Sequence, residues 1–294
     1  MTTPVGRALV SGAAGFIGGH LSERLLASGW EVHGLSRRAD PPASPVHWHR
    51  VDLADPQAAE GVIGKVKPDV FFHLASHVVG ARDLDAVYPT FRDNALSTVN
   101  ALVALARTGC RRVVRAGSLE EPDLAAGDPI PSSPYAASKA ASRLYGNMFG
   151  ALFDLPVTNA RIFMVYGPRQ ADLKKVVPYS VRGFLRNDPP RFGSTRPVDW
   201  IFVEDVVEGL IAAAASDDAV GKTVDLGTGR FTTVRDLITE IARQMDAENQ
   251  LSFEPMEERP MEQVRSADIV ETQRLTGWQP KIELSEGLRR TIAH

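Results

Sequence analysis

Cysteine, long apolar runs and an excess of one charge sign are all scarce or absent in this chain. Cys110 is the only cysteine among 294 residues, which excludes an internal disulfide and a metal site of several thiolates. No uninterrupted apolar run approaches the roughly 18 to 20 residues of a membrane-spanning helix. Lys and Arg total 33 against 36 Asp and Glu, so no overall field attracts nucleic acid. We expect a cytoplasmic protein that binds neither nucleic acid nor a membrane.

Metal-binding patterns and signal sequences are missing as well. The seven histidines form no HExxH or comparable cluster, so we expect no bound metal. The N-terminus enters a strand-like run by Ala8, without the basic segment and apolar core of a signal peptide.

What is present is typical of a globular α/β protein. Apolar residues make up 44% of the chain, and its first half alternates short β-branched runs with longer helical patterns. This alternation predicts a parallel sheet whose strands are joined by crossover helices. The predicted strands are Arg7–Ser11, Glu31–Leu35, Val46–Val51, Val70–Ala75, Arg112–Ala116, Val157–Val165 and Thr223–Leu226. The predicted helices are Gly18–Ser28, Asp55–Lys65, Thr90–Arg107, Ser133–Phe153 and Thr232–Met245.

The second half of the chain has a different texture. Prolines occur at 168, 178, 189, 190 and 197, and no clean alternation is visible among them. A strand–helix pattern returns at Trp200–Ala215, and the tail Ala267–His294 looks helical around Gly277–Pro280. We predict a doubly wound Rossmann sheet in residues 1–167, with returning segments near 198–228, and a smaller C-terminal domain formed mainly by residues 168–294.

A glycine-rich turn follows the first predicted strand, in the run Gly12-Ala13-Ala14-Gly15-Phe16-Ile17-Gly18. Glycines at such a turn let the backbone approach a pyrophosphate at the N-terminus of the next helix. The position between a strand and an amphipathic helix makes the signal much stronger than the glycines alone. We predict that Gly12, Gly15, Phe16, Ile17 and Gly18 contact a dinucleotide.

The end of the second predicted strand indicates which dinucleotide binds. An NAD site expects an acidic residue there to hold the ribose 2′-hydroxyl. The chain instead reads Leu35-Ser36-Arg37-Arg38, with no carboxylate before Asp40. Two guanidinium groups beside a small hydroxyl suit a 2′-phosphate, so we predict NADP(H), bound by Ser36, Arg37 and Arg38. The alternative is that both arginines are solvated surface charges.

A tyrosine and a lysine lie four residues apart in Pro134-Tyr135-Ala136-Ala137-Ser138-Lys139. Pro134 suits the first turn of a helix, and this spacing places both side chains on one helix face. A nearby ammonium stabilises a phenolate, so we expect Lys139 to lower the pKa of Tyr135 and make it a proton donor or acceptor. Ser118 follows a predicted strand at the sheet edge where ligands bind.

These motifs together resemble the extended short-chain dehydrogenase/reductase family, in its branch of sugar-nucleotide epimerases, dehydratases and reductases. The resemblance covers almost the whole chain. GAAGFIG at 12–18 is similar to the cofactor turn of the family, and Ser118, Tyr135 and Lys139 match its catalytic triad. Further matches are Asp52-Leu53, Phe72–Ser76, Asn94, Val165–Arg169, Asp199-Trp200, Glu204-Asp205 and Leu275–Pro280.

The resemblance implies a Rossmann domain, a C-terminal domain that binds a nucleoside diphosphate sugar, and hydride transfer at a sugar carbon. It also implies a homodimer formed through the helices Thr90–Arg107 and Ser133–Phe153. The further cofactor contacts that it implies are Asp52, Leu53, Leu74, Ala75, Ser76, Asn94, Tyr135, Lys139 and Ile162. The substrate contacts that it implies are Ser76, Ser118, Glu120, Met164, Arg196 and Arg259.

One departure from the family pattern narrows the reaction. Family 4,6-dehydratases carry an adjacent Asp-Glu pair directly after the triad hydroxyl, and here those positions hold Leu119 and Glu120. Leucine cannot donate the proton that expels water, so we do not expect a dehydratase. The role of Glu120 stays open, because this carboxylate suits either a catalytic base or a group that orients a substrate hydroxyl.

Other departures concern the substrate loops. Met164 stands where the family has an Asn, and Val198 stands where it has an Arg next to Asp199. Arg196 is a nearby stand-in for that arginine. Arg259 matches a family arginine that contacts the pyrophosphate of the sugar nucleotide.

From these residues we expect NADPH-dependent reduction of a nucleoside diphosphate 4-keto-6-deoxy-sugar at C4. Tyr135 would protonate the developing alkoxide, Ser118 would hydrogen-bond the oxygen, and Lys139 would hold the nicotinamide ribose. One alternative is an NAD-dependent C4 epimerase of a nucleotide sugar. The other is a non-catalytic dinucleotide sensor.

Overall fold

The computed structural model describes residues 5–39, 41, 44–123, 127, 129–192, 194–254, 261 and 263–294. Its strands are β1 (Arg7–Ser11), β2 (Glu31–Ser36), β3 (His47–Arg50), β4 (Val70–His73), β5 (Arg112–Ser118), β6 (Val157–Ile162), β7 (Met164–Tyr166), β8 (Pro197–Val198), β9 (Trp200–Phe202), β10 (Thr223–Leu226) and β11 (Thr232–Thr233). Its helices are α1 (Phe16–Ala27), α2 (Pro56–Val66), α3 (Val87–Thr90), α4 (Ser97–Thr108), α5 (Pro134–Phe153), α6 (Val176–Leu185), α7 (Val203–Ala215), α8 (Val234–Gln244), α9 (Ile269–Thr276) and α10 (Leu284–Ile292). The π-helical residues Phe91–Leu96 join α3 to α4.

Seven strands form one parallel sheet in the order β10-β6-β5-β4-β1-β2-β3. The chain builds this sheet outward in two directions from the neighbouring pair β1 and β4. A crevice opens at the carboxyl ends of such a pair, and it is the place where open α/β sheets bind ligands. The predicted doubly wound Rossmann sheet is therefore confirmed. Two small two-stranded sheets, β11–β8 and β7–β9, complete the strand pairing of the described residues.

The core lies in two layers, one on each face of the sheet. Along β1 the side chains alternate between them: Ala8 and Val10 join one apolar cluster, and Leu9 joins the other. Along β4, Phe72 and Phe71 divide in the same way. Because helices cover both faces, these strands are apolar almost throughout, which is typical of parallel sheets.

The predicted strand Val157–Val165 is two strands in the structure. The backbone N–H of Phe163 donates to Leu226 O in the main sheet, and the N–H of Met164 donates to Asp199 O. At this point the chain leaves the main sheet, and β7 pairs with β9 instead. The apolar pattern runs on without interruption across the change of partner, so the sequence alone does not show it.

Helix α6 lies among the prolines of the second half, where we predicted no helix or strand. Pro178 stands in its first turn, where a proline has no intrahelical donor to lose, so the helix is not interrupted. In the tail, Gly277 adopts a φ of 70° and ends α9. The predicted helix around Gly277–Pro280 is confirmed only before and after this segment. The segment itself is not helical and separates α9 from α10.

A third apolar cluster lies outside the seven-stranded sheet. Its members come mainly from β7, β9, α6, α8 and α10, and they include Tyr166, Phe184, Phe202, Ile238 and Leu288. The division of the chain near residue 167 stays a prediction.

Among the described residues, no helix has both the length and the apolarity that crossing a bilayer requires.

Candidate active site

The glycine turn after β1 leaves room for a ligand backbone. Gly12 adopts a φ of 71°, and its carbonyl accepts a hydrogen bond from the N–H of Gly15 at 2.9 Å. A Cβ atom at Gly12 would lie only 2.9 Å from the backbone N of Ala75, so a side chain does not fit there. Helix α1 begins at Phe16, and its first N–H groups have no intrahelical partner. These features suit the pyrophosphate of a dinucleotide.

A cavity of about 310 Å³ adjoins this turn at the carboxyl ends of β1, β2 and β4. Nine of the predicted cofactor contacts line it: Gly12, Gly15, Ser36, Arg37, Arg38, Asp52, Leu53, Ala75 and Ser76. The predicted contacts outside its lining are Phe16, Ile17, Gly18, Leu74, Asn94, Tyr135, Lys139 and Ile162. Sequence reasoning missed the lining residues Ser11, Ala14, Leu35, Val51, Asp93 and Ser97.

Arg37, which we predicted to bind a 2′-phosphate, is paired with a carboxylate in this cavity. Its Nη1 donates to Asp93 Oδ2 at 2.8 Å. Arg92 donates to the other oxygen of Asp93 at 2.7 Å and also to Asp52. Although partial burial opposes ionisation of Asp52, the hydrogen bond from Arg92 contributes to a lowered pKa for this carboxyl. A 2′-phosphate would therefore have to compete with Asp93 for Arg37.

Asn94 joins several segments of the chain, and its predicted contact with the cofactor stays a prediction. Its Oδ1 accepts hydrogen bonds from Ser76 Oγ at 3.1 Å and from the N–H of His77 at 2.7 Å. Its Nδ2 donates to Ser138 Oγ of α5 at 2.9 Å. Asn94 is buried, and it fastens the segment after β4 to the helix that carries the predicted triad.

The structure brings the three predicted triad residues together at one end of the sheet. Ser118 is the last residue of β5, and Tyr135 and Lys139 lie in the first two turns of α5. Ser133 caps this helix by accepting the N–H of Ala136 at 3.0 Å. The hydroxyls of Ser118 and Ser76 both hydrogen-bond with the Tyr135 phenol and favour its ionised form.

The expectation that Lys139 lowers the pKa of Tyr135 is wrong for this structure. Burial raises the pKa of Tyr135, and the Glu120 and Glu121 carboxylates add to the rise. Lys139 Nζ instead donates to Ala116 O at 2.7 Å. Burial, together with the positive charge of Arg115, lowers the pKa of Lys139 to about 7. Lysine at this position is therefore itself close to losing its proton at neutral pH.

A second, smaller cavity of about 40 Å³ contains three of the predicted substrate residues, Glu120, Met164 and Arg196. Leu119, at the position of the dehydratase acid, lines it too. Arg82 and Gln263 are lining residues that sequence reasoning missed. Arg259 lies outside the described residues. The N–H of Glu120 donates to Ser118 Oγ at 3.2 Å, so this cavity begins beside the triad.

Two motifs that matched the family have structural partners here. Asp199 is buried and accepts hydrogen bonds from the N–H groups of Thr228, Gly229 and Ala267. Asp205 accepts the N–H groups of Lys281 and Ile282. These carboxylates fix the backbone of later segments, at 228–229, 267 and 281–282.

Comparison with known proteins agrees with this geometry. Residues 8–227 match the model of the NAD dependent epimerase/dehydratase family. The chain is 32% identical to a UDP-glucose 4-epimerase of Mycolicibacterium smegmatis, over 97% of each chain. It is 28% identical to a dTDP-glucose 4,6-dehydratase of an Actinoplanes species, over 97% of this chain and 96% of that protein.

A solved structure gives the same result. The UDP-glucose 4-epimerase of Thermus thermophilus, in complex with NAD, is 30% identical and superimposes with a TM-score of 0.82 over 98% of each chain. The fold, the glycine turn and the matched family model together identify the chain as a member of the NAD dependent epimerase/dehydratase family, within the extended short-chain dehydrogenases/reductases.

Proposed function

We propose that this protein is a 4-epimerase of a nucleoside diphosphate sugar that uses NAD. The observation that carries the proposal is the set Ser118, Tyr135 and Lys139 beside the dinucleotide cavity, in a chain that is similar over 97% of its length to a UDP-glucose 4-epimerase. From the sequence we expected an NADPH-dependent C4 reductase first, and the epimerase was the alternative. The pairing of Arg37 with Asp93 supports it, because it places a carboxylate in the part of the cavity where NAD sites use one.

The residues of the cavity fit a dinucleotide. Gly12 leaves no room for a side chain, the N-terminus of α1 faces the turn, and Ser36 and Asp52 line the far end. A nicotinamide dinucleotide held there would supply hydride transfer to and from the sugar carbon. Lys139 would hold the nicotinamide ribose, as the family resemblance implies.

The proton moves through Tyr135. Tyr135 has to lose its own proton before the oxidation step, in which its phenolate accepts the proton of the C4 hydroxyl. In the reduction step the phenol returns that proton to the C4 oxygen. The hydrogen bonds from Ser118 and Ser76 stabilise the phenolate against the burial that disfavours it. Ser118 also supplies a hydrogen bond to the C4 oxygen. Glu120, Met164 and Arg196 are the proposed substrate contacts from the second cavity.

An NADPH-dependent C4 ketoreductase is the second candidate. The observation that favours it is the run Ser36, Arg37 and Arg38, all three of which line the dinucleotide cavity. In that reaction the phenol of Tyr135 protonates the alkoxide once per turnover. A non-catalytic dinucleotide sensor is less well supported, because the assembled triad would have no use there.

One pair of assays distinguishes these functions. The purified protein is analysed for bound dinucleotide and incubated with UDP-glucose, and UDP-galactose is measured by chromatography. A parallel sample receives NADPH and a panel of 4-keto-6-deoxy-sugar nucleotides, and the absorbance of NADPH is followed. Epimerisation without net oxidation of cofactor supports the proposal. Stoichiometric NADPH oxidation without epimerisation supports the reductase, and inactivity in both assays supports the sensor.

We also propose that the protein is a homodimer. Large apolar side chains are exposed on the helical stretch that leads into α4 and on the neighbouring helix α5. They are Val87, Tyr88, Phe91, Leu144, Tyr145, Leu152 and Phe153. Exposed apolar side chains that cluster on adjacent helices are typical of a surface that a protein partner covers.

A further inference from the structure

A group of buried charges lies next to the predicted triad. Arg115 and Glu121 are each 1% exposed, and the partly buried Arg143 of α5 completes the group. Neither the dinucleotide cavity nor the smaller substrate cavity has these residues in its lining. Burying an ion pair brings little stability in general, because the desolvation of both charges offsets their attraction. Their position therefore needs another explanation.

Glu121 holds the segment that carries Ser118. Its Oε1 accepts the backbone N–H of Ser118 at 3.1 Å and Nη2 of Arg115 at 3.0 Å. Its Oε2 lies 3.2 Å from Nε of Arg143. A Cβ atom at residue 117 would be only 2.8 Å from Oε1, so Gly117 is what lets the carboxylate reach the Ser118 amide.

Arg115 connects the same carboxylate to the helix that carries Tyr135 and Lys139. Its Nη1 donates to the backbone carbonyls of Lys139 and Ala116, both at 3.4 Å. Its Nε donates to Asn159 Oδ1 at 2.8 Å. Ala116 O also accepts Nζ of Lys139, so the ammonium and the Arg115 guanidinium share one acceptor.

We propose that Glu121 is a positioning residue of the active site, which fixes Ser118 through its amide and, with Arg115, sets the charge on Lys139. Glu121 and Arg115 place two opposite charges next to the triad. A carboxylate favours the protonated lysine, and a guanidinium disfavours it. The balance between them decides how much of Lys139 carries a proton at neutral pH.

The other titratable groups around Lys139 are neutral or paired elsewhere, so Glu121 and Arg115 determine its protonation. His73 of β4 is buried, and burial together with the charges of Lys139 and Arg115 lowers its pKa to about 3, so it is neutral at neutral pH. Tyr135 is also neutral, because burial raises its pKa. Arg143 lies on the far side of Glu121 and pairs with that carboxylate. Arg115 and Glu121 are the charged groups whose effects on the pKa of Lys139 oppose each other.

The test is a titration of NADH binding against pH, followed by nucleotide fluorescence, in the purified protein and in two variants. Lys139 is charged below its pKa, and the affinity for NADH should fall as pH rises through that pKa. Glu121→Gln removes the negative charge, so the midpoint should move to lower pH by about one unit. Arg115→Met removes the positive charge, so the midpoint should move to higher pH by about one unit.

A matched control is Asp205→Asn, another buried carboxylate that accepts backbone N–H groups, in α7. It should leave the NADH midpoint unchanged even if it lowers the melting temperature. If Glu121→Gln does not fold, Arg115→Met carries the charge test. Glu121→Asp then keeps the charge but shortens the reach to Ser118, so it should lower kcat about tenfold while the midpoint stays in place.

Opposite shifts in the two charge variants support the proposal, whereas unchanged midpoints or shifts in the same direction would overturn it. The kinetic readout rests on the proposed function, but the NADH titration needs no substrate. Failure of the unaltered protein to bind any nicotinamide dinucleotide would therefore refute the proposed function. A normal NADH titration with unmoved midpoints would refute only the role of Glu121.

Discussion

Tyr135 and Lys139 share one face of α5, yet no contact between phenol and ammonium defines the site. The phenol interacts with Ser118 and Ser76, and the ammonium binds the carbonyl of Ala116. Because burial raises the pKa of Tyr135, the residue holds its proton even though the hydroxyls of Ser118 and Ser76 favour the phenolate. The chemistry of this site therefore depends on the hydroxyl of one residue.

Tyr135→Phe tests that dependence. The change removes the hydroxyl and keeps the ring, so kcat should fall by about 10² to 10⁴-fold, as is usual when a positioned acid or base is lost. Affinity for the dinucleotide should change little, since the phenol is a small part of its contacts. Steady-state kinetics and nucleotide titration measure the two effects. Tyr166→Phe, at another buried tyrosine, serves as the control and should retain kcat.

We expect single residues to decide the preference between the two dinucleotides as well. Asp93 accepts Nη1 of Arg37, so its carboxylate occupies the guanidinium that a 2′-phosphate would use. Asp93→Asn should free Arg37 and raise the affinity for NADPH relative to NADH by about tenfold, the scale of one charge-assisted hydrogen bond. Asp85→Asn, at an exposed acid earlier in the same helical stretch, should leave the ratio unchanged. Calorimetric titrations with both nucleotides measure it, and an unchanged ratio in Asp93→Asn would remove Asp93 from the specificity site.

Prediction from the sequence succeeds at these residues where the signal is local. Tyr135 and Lys139 are four residues apart on one helix, and the glycine turn follows one strand, so spacing alone indicates them. Asp93 and Arg82 were missed because they reach the cavities from segments distant in the chain. The predicted lowering of the pKa of Tyr135 was wrong for a related reason. This pKa depends on burial and on where the Lys139 ammonium points, and neither is visible in the sequence.

At the scale of elements, the junction of β1 and α1 is the part most tightly fitted to its sequence. Gly18 and Gly19 are neighbours in the first two turns of α1, but their surroundings differ. A Cβ atom at Gly18 would collide with the backbone of Gly12 and Ala13, whereas one at Gly19 would have its nearest neighbour, Ala13 O, at 3.8 Å. The contact between helix and turn therefore depends on one of these glycines only.

Gly18→Ala and Gly19→Ala form a matched pair for this junction. Gly18→Ala should push the helix away from the turn, lower the melting temperature and weaken dinucleotide binding. Gly19→Ala should raise the free energy of unfolding by about 0.5 to 1 kcal/mol, because alanine favours the helix over glycine and meets no clash. Thermal unfolding with and without NADH measures both, and equal effects of the two changes would contradict this account of the junction.

The elements of the Rossmann half were predicted more accurately than those that follow. Helices α2 and α5 begin with a proline directly after a capping Asp or Ser, and these are strong local signals. The break between β6 and β7 has no such signal, because it is set by a change of hydrogen-bond partner at Phe163. Helix α6 was missed because it lies among the prolines of the second half, where no clean alternation is visible in the sequence.

At the scale of the whole molecule, the order of the seven strands brings the predicted cofactor and substrate residues to the carboxyl ends of the strands. The dinucleotide cavity forms at the carboxyl ends of β1, β2 and β4, and Ser118 stands at the same end of β5. In that arrangement the predicted site residues do not occupy the outer faces of the long helices. It is on these faces, around Tyr88 and Leu144, that large apolar side chains are exposed.

A symmetric pair of chains would bury this surface, since an isologous interface uses the same patch on both subunits. Tyr88 is 82% exposed, so Tyr88→Glu should not disturb the fold, yet it would place a charge in the proposed interface. Light scattering after gel filtration should give twice 31.9 kDa for the unaltered protein and a smaller mass for Tyr88→Glu at low concentration. Val270→Glu is the matched control, because Val270 is 78% exposed on α9 and should leave the mass unchanged. An unaltered protein that runs as a monomer at all concentrations would show that these helices stay uncovered in solution.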